Sequence, residues 1–188
     1  MEFQWRNQPE EFLQDGSRIV VTADKGTNLF NSPGKHFKIN NFPFYYINKI
    51  GDFVIRCKIT PDFKALYDLG CIVVYDHEDK WIKFAYENSD AGHPAMVSVV
   101  TNETSDDCNG EKVEGYAWMQ IIRKGDEFAL HYSKDKEHWS LVRIFRLEMS
   151  SEIKLGISAQ CPLGENCNVL FEGLEILENA FQNIRKPE

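Results

Sequence analysis

From Arg18 to Ile176 the chain is a succession of short runs rich in Val, Ile, Phe, Tyr and Trp, each closed by Gly, Pro, Asn or Asp. β-Branched and aromatic side chains suit a pleated, half-buried surface, and the closing residues are those that turn a chain. The runs are RIVVTA (18–23), FPFYYI (42–47), DFVIRCKIT (52–60), LGCIVVYD (69–76), KWIKFAYE (80–87) and AMVSVVTN (95–102). They continue with YAWMQIIRK (116–124), EFALHYS (127–133), WSLVRIFRL (139–147), EIKLGISAQ (152–160) and NVLFEGLEI (168–176). Helical periodicity is nearly absent, which sets aside helix bundles and alternating βαβ architectures.

The connections indicate how the strands pair. Gly125 in RKGDE stands where a tight hairpin needs positive φ. In YSKDKEHW, Ser133 and Asp135 are placed to bond nearby backbone amides. Residues 22–36 and 101–115 are irregular and read as long surface loops. Strands joined by hairpins and short arches stack as two antiparallel sheets or close into a barrel. Mixed faces favour the sandwich: Phe53, Ile55, Cys57 and Ile59 share one side of their run, opposite Val54, Arg56 and Lys58. The expectation is an all-β, single-domain sandwich of two antiparallel sheets over residues 1–188.

Twenty-one basic residues against 29 acidic ones give a net charge of −8, with the acids scattered. Such a surface repels phosphate backbones and anionic lipid, so neither nucleic acid nor membrane is an expected partner. No segment approaches the roughly 20 apolar residues that cross a bilayer. The acidic opening MEFQWRNQPEEF lacks the basic start and apolar core of a signal peptide.

Cys57, Cys71, Cys108, Cys161 and Cys167 form no CxxC pair, and only Cys161 and Cys167 stand near enough to invite a disulfide. Reduced thiols in a cytoplasmic protein are the expectation. The histidines at 36, 77, 93, 131 and 138 show no HxH or HExxH spacing. Asp76-His77-Glu78-Asp79 lacks the supporting pattern of an EF-hand and reads as a charged hairpin turn. No phosphate loop or nucleophile elbow is present, so neither a cofactor nor a metal is expected.

One run poses a question of burial. In residues 80–87, Trp81, Lys83, Ala85 and Glu87 fall on one side of an extended chain, and Ile82, Phe84 and Tyr86 on the other. YAWMQIIRK repeats the theme, with Tyr116, Trp118 and Gln120 opposite Met119 and Ile121. Aromatics beside polar groups on a wet sheet suit a flat ligand with an apolar face and hydroxyl edges, such as a sugar ring. Equally, Trp81 and Trp118 satisfy the pattern by capping the core or packing under loops. His131 alternates with Ala129 and is read as facing the wet side with Lys83.

The middle of the chain carries a further signal. Tyr67-Asp68, an apolar strand, then Asp79, Trp81, Lys83, Glu87, Ser98 to Thr101 and Ser105-Asp106 follow in a distinctive order. Trp118, Arg123 and the YSKDKEHW hairpin continue it, and EFQWRNQPEEF suits the opening. In this order and spacing the chain resembles the domain-of-unknown-function family of regulation-of-enolase-type proteins. The resemblance implies a concanavalin A-like jelly-roll sandwich with a concave sheet on which carbohydrate usually binds in the superfamily. This chain departs from the family at Leu69, where a glutamine is usual, at Asp107, where an aromatic is usual, and at Lys136, where a glycine is usual.

The functional expectation is non-catalytic binding of a carbohydrate or carbohydrate-like small molecule on the concave sheet. Trp81 and Trp118 would stack on it, Lys83, Glu87, Gln120 and Arg123 would offer hydrogen bonds, and Tyr67, Asp68, Ser105 and Asp106 would act from the rim. No catalytic residue is assigned, because no strand carries the Glu-x-Asp-x-x-Glu alternation of the sandwich glucanases. Two alternatives stand beside it: a glycosidase-like enzyme with a carboxyl pair near Glu87, and a regulatory module with a protein partner.

Overall fold

A computed structural model of the chain describes residues 2–186. Among these residues there are sixteen strands and no helix. In chain order the first are β1 (Gln4–Arg6), β2 (Phe12–Asp15), β3 (Arg18–Asp24), β4 (Leu29–Asn31), β5 (Lys38–Asn40) and β6 (Phe44–Ile50). Next come β7 (Phe53–Pro61), β8 (Leu69–His77), β9 (Lys80–Asn88), β10 (Pro94–Asn102) and β11 (Thr104–Lys112). The last are β12 (Ala117–Lys124), β13 (Glu127–Ser133), β14 (Ser140–Arg146), β15 (Glu152–Gln160) and β16 (Asn166–Leu177).

Two seven-stranded antiparallel sheets stack as a jelly-roll β-sandwich. The front sheet runs β1-β6-β15-β8-β9-β10-β11 and the back sheet β14-β13-β12-β7-β16-β3-β2. Ile72, Phe84, Leu155 and Ile157 from the front meet Ile55, Ile59, Met119, Ile121 and Phe171 from the back in the main core. Gly70 marks a point of tight contact: a Cβ there would lie 2.5 Å from Val169 Cγ1 and 2.6 Å from Ile59 Cγ2.

The turns follow the expected chemistry. Gly125 has φ 61°, Ser133 Oγ accepts the amides of Asp135 and Lys136, and Asp135 Oδ1 accepts those of Glu137 and His138. Lys136 holds φ 68°, the left-handed conformation that a glycine at this position would adopt more readily. The five cysteines are free thiols.

The sheets depart from the expectation of one buried and one wet face. The central front strands β8 and β9 are buried on both. Behind them lies the main core; on the outer face Cys71, Val73, Tyr75, Trp81 and Ala85 form a second cluster with Val97 and Val99 of β10, Phe44 of β6, and Leu29 and Phe42 from outside the sheet. Leu29 comes from the segment expected to be loop (22–36), where β4 pairs with β5, just beyond that segment, as a hairpin across the sheet; Phe42 comes from the run expected to be strand (42–47). Residues 104–112, also read as loop, are the edge strand β11, whose side chains are nearly all exposed and so carry no apolar alternation. On the back sheet, Phe181 and Ile184 of the C-terminal segment cover Val54, Ile122 and Ala129.

Candidate functional site

A crossing strand must satisfy its own backbone groups, since buried amides and carbonyls without partners are costly. Three buried polar side chains of the front sheet do this for β4. Gln160 on β15 accepts the Leu29 amide at 3.1 Å, Lys83 on β9 donates to the Leu29 carbonyl at 2.9 Å, and Ser105 on β11 accepts the Asn31 amide at 3.0 Å. Thus β4 is strapped across the outer face from one side to the other. The question raised by the Trp81 run is thereby answered: Trp81 packs fully buried with the strap's Leu29 in the outer-face cluster, and Lys83 holds the strap in place.

Between the strap and the exposed end of the sheet is a pocket of about 340 Å³. Phe30, Phe37 and Ile39 of the hairpin form one wall, Leu69, Lys83, Glu87 and Val99 of the sheet line it, and Tyr67, Asp90, Asp107 and Leu163 come from its edges. Phe37 and Leu163 are 50% and 60% exposed, so the rim presents apolar surface to solvent. The Phe30 and Phe37 rings lie 6.2 Å apart.

The pocket's electrostatics are unusual. Glu87 is 8% exposed, and burial pushes its carboxyl up to about 7, with Asp107 and Asp90 adding to the shift and Lys83 opposing it. Burial also raises the Asp107 carboxyl, against the pull of Lys83. Glu87 therefore holds or releases a proton near neutrality and can act as donor or acceptor. Tyr67, whose phenol is raised by burial and then by Asp90 and Glu87, has φ 67°. Its amide donates to the Asn88 carbonyl at 2.8 Å, and the Asn88 amide donates to the Asp68 carbonyl at 3.0 Å. This pinning of a bulky residue in the left-handed region beside the pocket is backbone strain of a kind that concentrates at functional sites.

Of the residues expected to bind, Tyr67, Lys83 and Glu87 line the pocket. Trp81 presents no ring to a ligand, because it is fully buried in one cluster with Leu29 and Phe42. Trp118 and Gln120 lie on the outer face of the back sheet, where they pair across strands with Lys58 and Ser133, and with Arg56 and His131. Trp118 carries Lys136 Nζ at 4.7 Å, and His131 is buried on that back sheet rather than beside Lys83. Alternation separates the two sides of one strand but does not say which sheet the strand joins.

Arg123 faces the rim between the sheets, donating to the carbonyls of Gly125 and Ser150. Asp106 points away from the pocket, to an ion pair with Arg143 at 3.0 Å. Asp68 is fully buried and accepts the amides of Lys64 and Ala65, shaping the loop that presents Tyr67. Ser105, besides holding β4, bonds Thr101 Oγ1 at 3.0 Å. Asp79 in the acidic turn pairs with Lys38 of the hairpin.

The family model described as protein of unknown function (DUF1349) matches residues 5–179. The chain belongs to this family. No match was found among curated proteins. Of solved structures, a functionally unknown protein from Saccharomyces cerevisiae is similar at TM-score 0.90 and 23% identity, covering 95% of this chain and 97% of that one. A GH43 protein, BlXynB from Bacillus licheniformis, is similar at TM-score 0.75 and 12% identity, over 94% of this chain but 37% of its own. The carbohydrate binding module CBM66 from Bacillus subtilis is similar at TM-score 0.59 and 13% identity, covering 93% of this chain and 95% of the module. At these identities the likeness shows a shared fold.

In this DUF1349 chain the sequence reading missed Asp107, Asp90, Phe30, Phe37 and Leu163. A signal for Asp107 was present: two residues beyond Ser105, it shares that residue's side of a strand. The cross-strand partners of Asp107 and Lys83 meet at Val99. The hairpin residues had no such signal, since their contacts arise only when β4 crosses the sheet.

Proposed function

We propose that the chain acts as one sandwich domain that binds, without catalysis, a carbohydrate or carbohydrate-like small molecule in the strap pocket. The observation that carries this reading is Glu87: a nine-tenths buried carboxylate lining a 340 Å³ pocket, with no hydrogen bond to it among the described residues. Its oxygens take no hydrogen bond from the described residues and open only to the pocket, so a ligand with hydroxyl or amine donors can reach them and take the place of water. Phe30, Phe37 and Leu163 supply the apolar surface on which a sugar ring packs. The fold shared with a carbohydrate binding module supports the same reading.

Register favours binding over hydrolysis. Glu87 and Asp107 lie four residues apart along the strands and two strands apart across them, and among the described residues no strand places a second carboxylate beside Glu87 on its own face. The test is a thermal-shift screen of the protein against mono- and oligosaccharides, with Glu87→Gln and Phe37→Ala as controls. A ligand at about 100 times its Kd adds about 2.7 kcal/mol of stability. A hit weakened in both variants supports the pocket; silence across the panel, or a hit unchanged in both, overturns it.

A further inference from the structure

We propose that the pocket selects ligands that carry a protonated amine beside their hydroxyls, so that its preferred class is an amino sugar rather than a neutral or acidic one. This rests on the binding reading above and narrows it.

The pocket's hydrogen-bonding capacity is one-sided. Lys83 is its buried cation, and its ammonium is already engaged by the Leu29 carbonyl at 2.9 Å, with Asn28 Oδ1 and Gln160 Oε1 each at 3.5 Å. It forms no ion pair with Glu87, and the two Cα atoms, four residues apart on β9, are separated by about 13 Å. What is left for a ligand is mainly acceptors. Glu87 is 8% exposed and accepts no hydrogen bond from the described residues; Asp107 and Asp90 line the same pocket. Asn109 donates to Asp90 at 2.9 Å, holding that carboxylate over the β11 side.

The groups that act on Glu87 are thus Lys83, Asp107 and Asp90, with the Tyr67 phenol beside them. Three carboxylates face one ammonium that the strap already occupies. A ligand ammonium set among the carboxylates supplies the missing charge and replaces the proton that Glu87 otherwise takes up. A uronic acid or sugar phosphate would bring another anion to Glu87 and find few free donors to meet it. Burying a charge without a partner is costly, so the same geometry that favours an amine rejects an acid.

The experiment is calorimetric titration of the full chain with glucosamine, galactosamine and mannosamine, each against its parent hexose and N-acetyl derivative, and with glucuronate. At least one amino sugar is expected to bind about tenfold tighter than both matched neutral sugars, the equivalent of one hydrogen bond to a charged group. Glucuronate is expected to bind weakest. Near pH 6, where the amine is protonated, binding should release a proton that Glu87→Gln does not release. Asp107→Asn, at the exposed rim, should reduce the preference without affecting the fold. Equal affinity for an amine and its parent hexose, or tighter binding of glucuronate, overturns the inference and leaves the carbohydrate reading standing. No binding by any of these sugars overturns both.

Discussion

Lys83 on β9 and Asp107 on β11 lie in one cross-strand row with Val99 between them, a cation and an anion on the same outer face of the sheet. At two strand spacings their Cα atoms are about 10 Å apart. The inner residue holds the strap and the outer one stands at the pocket edge. From that row outward, burial decides which side chains serve the fold and which are free for a ligand.

Trp81 serves the fold. Trp81→Ala is expected to lower unfolding free energy by about 3–5 kcal/mol in urea denaturation, the cost of an emptied aromatic site. Trp81→Phe keeps most of the packing and removes an indole N–H that has no partner, so its cost should be well under half as large. A ligand that binds below the melting range should keep its affinity in Trp81→Phe. Loss of affinity there, with the fold intact, would contradict this assignment.

Phe37 serves the ligand. Half exposed at the pocket rim, it contributes little to the core, so Phe37→Ala should shift stability by no more than about 0.5 kcal/mol. Sugar affinity should fall several-fold as one stacking wall is lost. A large drop in melting temperature would show that the hairpin depends on this ring for its own folding.

Glu87 gives stability a pH signature. Its folded value of about 7 lies above the unfolded value of about 4.3. The folded state therefore binds more protons between these limits, and stability falls as pH rises through that window. The loss is complete above neutrality and on the order of a few kcal/mol. Glu87→Gln should flatten this part of the profile, leaving the variant more stable than the parent near pH 8 and no different near pH 4. Parallel profiles from pH 4 to 8 would sink the assignment.

Gly70 sets the separation of the sheets. A valine there would thrust methyl groups into Val169 and Ile59. Gly70→Val should cost about 1–3 kcal/mol through overpacking, and pairing it with Val169→Ala should restore part of the loss. Additive losses in that double variant would place the strain elsewhere.

Much of the architecture was legible in local pattern. Runs such as Phe53–Ile59 and Glu152–Gln160 announce strands because alternation and β-branching act within a few residues, and Gly125, Ser133 and Asp135 announce their turns by the same short-range chemistry. Strand β11 was not legible. An edge strand with two polar faces has no apolar period, and Ser105 to Lys112 reads as loop until β10 supplies its partner. The strap hid for another reason: its strands are three residues each and its apolar side chains meet a surface belonging to other parts of the chain.

The candidate site divides along the same line. That Lys83 and Glu87 share a face with Trp81 follows from period two and needed no coordinates. That Trp118 and Gln120 belong to the opposite sheet, and that Trp81 is buried in a cluster with Leu29 and Phe42, were decided by tertiary structure alone. The sequence by itself determined the long apolar strands, their two sides and most of their turns, because those depend on neighbours in the chain. Only the packed sandwich could decide which sides are wet, because burial depends on what another segment, distant in sequence, comes to cover.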